Sequence, residues 1–246
     1  MDDSVLFSLF KKYKLNNNEI GEILNIIYSI YNHDEFQRRM TDEFMHHDNI
    51  SLGEHILEVA IFSYIMYKKY KRNENLDLGV LLKTAMFHDL YTEPWQNNPY
   101  SKVIKSIHKH AYRHPVEAVI NSAFWFPDEF LDFEKSKKIV DGVVHHMAPL
   151  PVPKFTFDDM NLLELKNFDK IGDVSDDVKN ILRSSCDRLS FKNVSIAFSN
   201  YYEGKIVSIA DKVVAIDNMK HSNINGFLAI FTGENNNFEK VRMIKK

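Results

Sequence analysis

The sequence predicts an all-α protein, and two observations carry that expectation. All seven prolines lie between Pro94 and Pro153, so both long flanks lack the residue that most disrupts helix interiors. Within those flanks, and in stretches between them, apolar residues recur at spacings of three and four, the helical period.

The elements follow in order. Residues 17–31 place Ile20, Ile23, Leu24, Ile27 and Ile30 on one stripe. Residues 51–70 repeat the pattern with Ile56, Val59, Ala60, Ser63 and Tyr67, and Ser51 followed by Glu54 reads as an N-terminal cap. A third helix covers 77–88, packing through Val80, Leu81, Thr84, Ala85 and His88. Pro115 opens a fourth at about 115–124, since a proline is tolerated in the first turn. Residues 134–147 make a fifth through Ile139, Val143 and His146, and 204–219 a sixth through Val207, Asp211 and Val214. Residues 151–203 open with a proline-spaced run and continue as acidic and polar helix-like pieces. The tail FLAIFTGENNNFEKVRMIKK has two apolar runs about a Gly/Asn-rich turn, a terminal hairpin or a broken helix. No repeat or long linker divides the chain, so residues 1–246 read as one helical domain.

Composition bounds the function. Thirty-one basic and 34 acidic residues give a net charge of −3. That offers no large positive field for nucleic acid. Cys186 is the only cysteine, which excludes an internal disulfide and a Cys-rich zinc site. The first residues carry acids where a signal peptide needs bases, and no stretch approaches the ~18–20 apolar residues of a membrane span. The expectation is a soluble, cytoplasmic protein with no membrane partner.

Nine of the 11 histidines fall between His46 and His146. A single histidine on an apolar stripe is more often a hydrogen-bonded core residue than a ligand, and a His-Asp pair alone is weak evidence. The ordered set is stronger: His55, His88-Asp89, His114, His146 and Asp211 all stand at helix ends or on inward faces. A buried carboxylate such as Asp211 is costly unless paired or metal-bound. Imidazoles with carboxylates suit Mn, Fe, Ni, Zn or Co.

The segments SLGEHILEVAIFSYIMY, LLKTAMFHDLYTEPW and KIVSIADKVVAID, in the order His, His-Asp, Asp, resemble the HD superfamily of metal-dependent phosphohydrolases. The likeness is closer to a group of uncharacterised bacterial HD proteins, through HAYRHPVEAVINSA and HHMAPLPVP. It covers about 45–153 and 204–220. It implies a single HD-type helical bundle, with an insertion at about 151–203. It also implies a first metal on His55, His88, Asp89 and Asp211, and a second served by His114 and His146, with Asp89 bridging and holding the nucleophile. One divalent ion or two, of Mn, Fe, Ni, Co, Zn or Mg, stays open. The lysine that often follows His-Asp in the superfamily is replaced by Tyr91 and Thr92.

The run from Lys102 to His114 contains Lys102, Lys105, His108, Lys109, His110 and Arg113 and no acid. It suits an anionic substrate, with His110 and Arg113 placed on the phosphate; a solvated basic face is the alternative, above all for Lys102 and Lys105. Lys212, about 100° round the helix from Asp211, is equally two-sided. His47 and His145 are weaker candidates, as partners orienting a ligand or as exposed polar residues. The expected activity is hydrolysis of a phosphate ester or anhydride of a small metabolite, a nucleotide first. The alternatives are an HD-fold di-iron oxygenase and a nucleotide-binding regulatory module.

Overall fold

The computed structural model describes residues 3–47, 50–70, 76–94, 110–148, 151–153, 156–160, 162–184, 190–191, 194–196 and 198–220. The basic run 102–109 and the tail from 221 onward lie outside them, so the expectations placed there have no counterpart below.

Helices dominate. α1 (Ser4–Lys12), α2 (Asn17–Tyr31) and α3 (Asp34–Arg39) are followed by a short antiparallel pair, β1 (Met45–His47) and β2 (Ile50–Ser51). Then come α4 (Leu52–Tyr70), α5 (Leu78–Phe87), α6 (His110–Trp125) and α7 (Phe133–Val144). The caps explain several starts. Asn16 and Glu19 close a capping box on α2. The Ser51 hydroxyl accepts the Glu54 N–H at 3.2 Å, as expected from sequence. Asp77 and Asp132 cap α5 and α7 through the Val80 and Lys135 N–H groups.

The segment 151–203 departs from its helix-like reading. It contains strand β3 (Pro151–Pro153), 3-10 turns at Phe157–Asp159 and Phe168–Lys170, and helix α8 (Asp176–Arg183). Strands β4 (Ser190–Phe191) and β5 (Val194–Ile196) complete a sheet of order β3-β5-β4. Pro151 and Pro153 lack the N–H that a helix or an inner strand needs, and β3 accordingly lies at an edge. The segment also contributes to the core. Met160, Phe168, Ile171, Val174, Val178 and Leu182 belong to the same buried cluster that begins at Leu6 and ends at Val214.

α9 (Tyr202–Lys220) closes the chain's described part. α4 packs on α5 and α9, and both of those meet α7, so four helices form a closed ring; α6 packs on α5 and α7. α7 and α9 approach closely at Gly142 and Gly204, where a Cβ on Gly204 would stand 2.6 Å from the Gly142 Cα. That contact needs glycine and brings α9 against the end of α7. Among the described residues, no helix is long and apolar enough to cross a membrane.

α6 corrects one boundary. It runs from His110, so Pro115 sits in its second turn and not at its start. The earlier turn is held by side chains: His114 Nδ1 donates to the His110 carbonyl at 3.2 Å, and Arg113 is paired with Glu164.

Candidate metal centre

Five helices deliver six side chains to one place. His55 comes from the first turn of α4, His88 and Asp89 from the end of α5, and His114 from α6. His146 follows α7 in a turn, and Asp211 comes from the middle of α9. They form two groups, His55–His88–Asp211 and Asp89–His114–His146, in each of which one ligand atom per residue lies within 4.8 Å of the others. His55 Nε2 is 3.2 Å from Asp211 Oδ1. Asp89 Oδ1 is 3.0 Å from His114 Nε2 and 3.5 Å from His146 Nε2, while its Oδ2 is 3.6 Å from His88 Nε2. Asp89 therefore touches both groups.

The backbone sets the tautomers. His88 Nδ1 lies 2.7 Å from the Ala85 carbonyl and His146 Nδ1 2.7 Å from the Val143 carbonyl. A carbonyl only accepts, so each Nδ1 carries the proton and each Nε2 presents a lone pair inward. His88 Nε2 is buried with no hydrogen-bond partner among the described residues and faces two carboxylates, with Asp211 Oδ1 at 3.9 Å. His114 Nε2 and His146 Nε2 stand 3.1 Å apart.

Charge completes the picture. Burial pushes His88 down and His146 down to about 3, so both rings are neutral at neutral pH. Burial opposes charge on Asp89, but in the acid range, where the carboxyl would take up its proton, the rings of His88, His114 and His146 become cationic and outweigh it, so the carboxyl stays well below the usual range. For Asp211 burial is likewise outweighed, here by the His55 hydrogen bond and Lys212. Two buried carboxylates beside inward-facing ring nitrogens make a setting in which a cation would be compensated. The donor set, all imidazole and carboxylate, fits a first-row divalent ion, and these groups can hold one.

The turn carrying Asp89 is gripped at three consecutive residues. Asn121 Nδ2 donates to the Leu90 carbonyl at 2.8 Å. The buried Arg39 guanidinium donates to the Tyr91 carbonyl. Glu117 accepts the Thr92 N–H at 2.7 Å. Outer contacts of this kind fix ligand orientation.

The remaining expected residues are spread differently. His110 is buried at the edge of the centre, its ring 4.8 Å from Tyr91 and 5.2 Å from His114, and burial pushes it down to about 3. Arg113 is 1% exposed, with Nε 3.4 Å from Glu164 Oε2, a buried carboxylate of the 162–167 segment. Lys212 turns back to Asp211 Oδ2 at 3.3 Å and donates to the His146 carbonyl at 2.6 Å, tying α9 to the turn after α7. His145 faces its own helix, with Nδ1 2.8 Å from the Asp141 carbonyl. His47 lies in β1, and its side chain is outside the described residues.

One residue was missed. His46 stacks on His55 with ring centroids 4.1 Å apart, and it forms a third potential ligand group with His55 and Asp89. No local pattern announces it, because β1 is only three residues long.

A surface cleft of about 720 Å³, at the starts of α5 and α9 beside α7, includes none of the six converging residues. Its Lys138 and Glu203 are paired at 3.3 Å. No protein-family model matches the chain, and no curated protein or solved structure matches it significantly.

Proposed function

We propose that the chain is a metal-dependent phosphohydrolase of the HD type, acting on a phosphate ester or anhydride of a small metabolite, a nucleotide first. The observation that carries this reading is Asp89, which contacts His88 on one side and both His114 and His146 on the other. In the proposal His55, His88, Asp89 and Asp211 hold one divalent ion, and Asp89, His114 and His146 a second. Ions so held lower the pKa of coordinated water towards about 7 and offset charge on phosphoryl oxygens.

The protein's own part is orientation. Asp89 keeps its two oxygens divided between the groups because the next three residues are fixed by Asn121, Arg39 and Glu117. The Nδ1–H bonds to backbone carbonyls hold His88 and His146 with Nε2 inward. His110, neutral at the edge, is placed to hydrogen-bond an arriving phosphate oxygen. Arg113 acts through Glu164 as a positioning residue for α6. The choice of a nucleotide rests on the resemblance to HD proteins.

The test is phosphate release from a panel of nucleotides and sugar phosphates by manganese-loaded protein, with Asp89→Ala as the blank. Release from at least one compound, lost in Asp89→Ala and on chelation, is the expected result. Silence across the panel together with iron-dependent oxygen uptake would contradict the reading.

A further inference from the structure

His46 has no role in the six-residue set, yet the fold delivers it to the same place. It lies in β1, in a two-strand pair immediately before α4. The pairing joins Met45 to Ser51 and His47 to Ile50, with an irregularity between Met45 and His47. A bulge at that point re-aims the intervening side chain. The ring of His46 lies at 26° to that of His55. One ligand atom each from His46, His55 and Asp89 falls within 4.8 Å of the others. Metal–nitrogen bonds of about 2.0–2.1 Å put donors on one ion at most about 4 Å apart, so only a small contraction is required.

We propose that His46 is a further metal ligand, serving the same ion as His55, His88 and Asp211; this rests on the reading of the two groups as metal sites. The consequence is an asymmetry between the two positions. With Asp89 shared, the first has five protein donors, His46, His55, His88, Asp89 and Asp211, close to the about six that a first-row divalent ion takes in octahedral geometry. The second has three, Asp89, His114 and His146. Closed donor sets are structural, whereas three protein ligands with open positions are the mark of a reacting site. In that arrangement His46 would fill the first position and leave the open positions, where a substrate oxygen could bind, to the second. Tyr91 and His110 flank that side, their rings 6.1 and 5.2 Å from His114.

Cobalt(II) is the probe, because its visible and near-ultraviolet spectrum reports its ligands without any turnover. Wild type, His46→Ala and His46→Cys are titrated with cobalt under anaerobic conditions, with circular dichroism confirming the fold of each. The proposal expects His46→Ala to weaken the tighter cobalt site by at least about tenfold. It expects His46→Cys to show a thiolate-to-cobalt charge-transfer band that wild type, with its native Cys186, does not show. Free imidazole should restore the wild-type spectrum to His46→Ala. If wild type binds cobalt, His46→Ala binds it equally well and His46→Cys shows no thiolate band, the assignment of His46 is overturned and the metal centre stands. If wild type binds no cobalt, the centre itself falls and the assignment with it.

Discussion

His114 Nε2 and His146 Nε2 face each other across 3.1 Å, although the two residues come from different helices. With Nδ1 of each ring directed at a backbone carbonyl, the facing atoms are both lone-pair donors. Two such atoms repel unless a cation lies between them. In the proposed reading, an ion held by these two nitrogens relieves that repulsion.

A stability prediction follows directly. A ligand that binds only the folded state stabilises it by about 2.7 kcal/mol at 100 times its Kd. For a chain of this length that is roughly 5–10 °C in Tm. Differential scanning calorimetry should show such a rise on adding manganese to chelator-treated protein, and a smaller rise for His146→Ala. An identical rise in the variant would contradict the role of His146.

Asn121 is the most telling of the three residues behind Asp89. It donates to the Leu90 carbonyl and to Thr92 Oγ1, and accepts from Asn167 Nδ2 at 2.9 Å. Asn121→Ala leaves these buried groups unmet, at about 1–3 kcal/mol. It should also weaken metal binding by about 10–100-fold, although Asn121 touches no metal. Urea denaturation and metal titration check the two effects. Lost stability with unchanged metal affinity would show that the grip on the turn has no bearing on the centre.

Arg113 and Glu164 form a buried pair between α6 and the 162–167 segment. Breaking it from one side strands a charge, so Glu164→Ala should cost about 3–5 kcal/mol. The double variant Arg113→Met, Glu164→Leu should recover most of that loss, as read by denaturant midpoints. If Glu164→Ala were as stable as wild type, the segment would not be anchored through this pair.

Glu117 gives a pH signature. Burial raises its carboxyl from 4.5 to about 7, against the Thr92 hydrogen bond. The unfolded chain releases this proton near 4.5 and the folded chain near 7, so between those values the folded state binds more protons. The stability contributed by this group is full below pH 4.5 and is lost as pH rises through about 7. Glu117→Gln should remove that component. The stability difference between variant and wild type should change by an amount on the order of 3 kcal/mol over the window. A pH-independent difference would contradict the shift.

The helices were legible because their periodicity and caps are local. α2 has the expected bounds, and α4 and α5 begin one residue later than expected. The six converging side chains stood out in advance because each is at a helix end or on an inward stripe, while their assignment as metal ligands came from the resemblance to HD proteins. What was hidden depends on partners distant in sequence. Arg113 reads as an anion contact until Glu164, far along the chain, turns out to be its neighbour. Pro115 reads as a helix start because nothing local reveals the side-chain bonds that hold the turn before it. The 151–203 segment has no strong period, yet it supplies core residues and a buried carboxylate. His46 was invisible because a two-strand pair with an irregular register is too short to give a pattern.

The most direct measurement is the number of divalent ions bound per chain, determined on purified protein equilibrated with manganese. The account predicts two for the wild type and one for His114→Ala, with both variant and wild type folded. A wild type that binds no manganese, or a His114→Ala protein that still binds two, would contradict it.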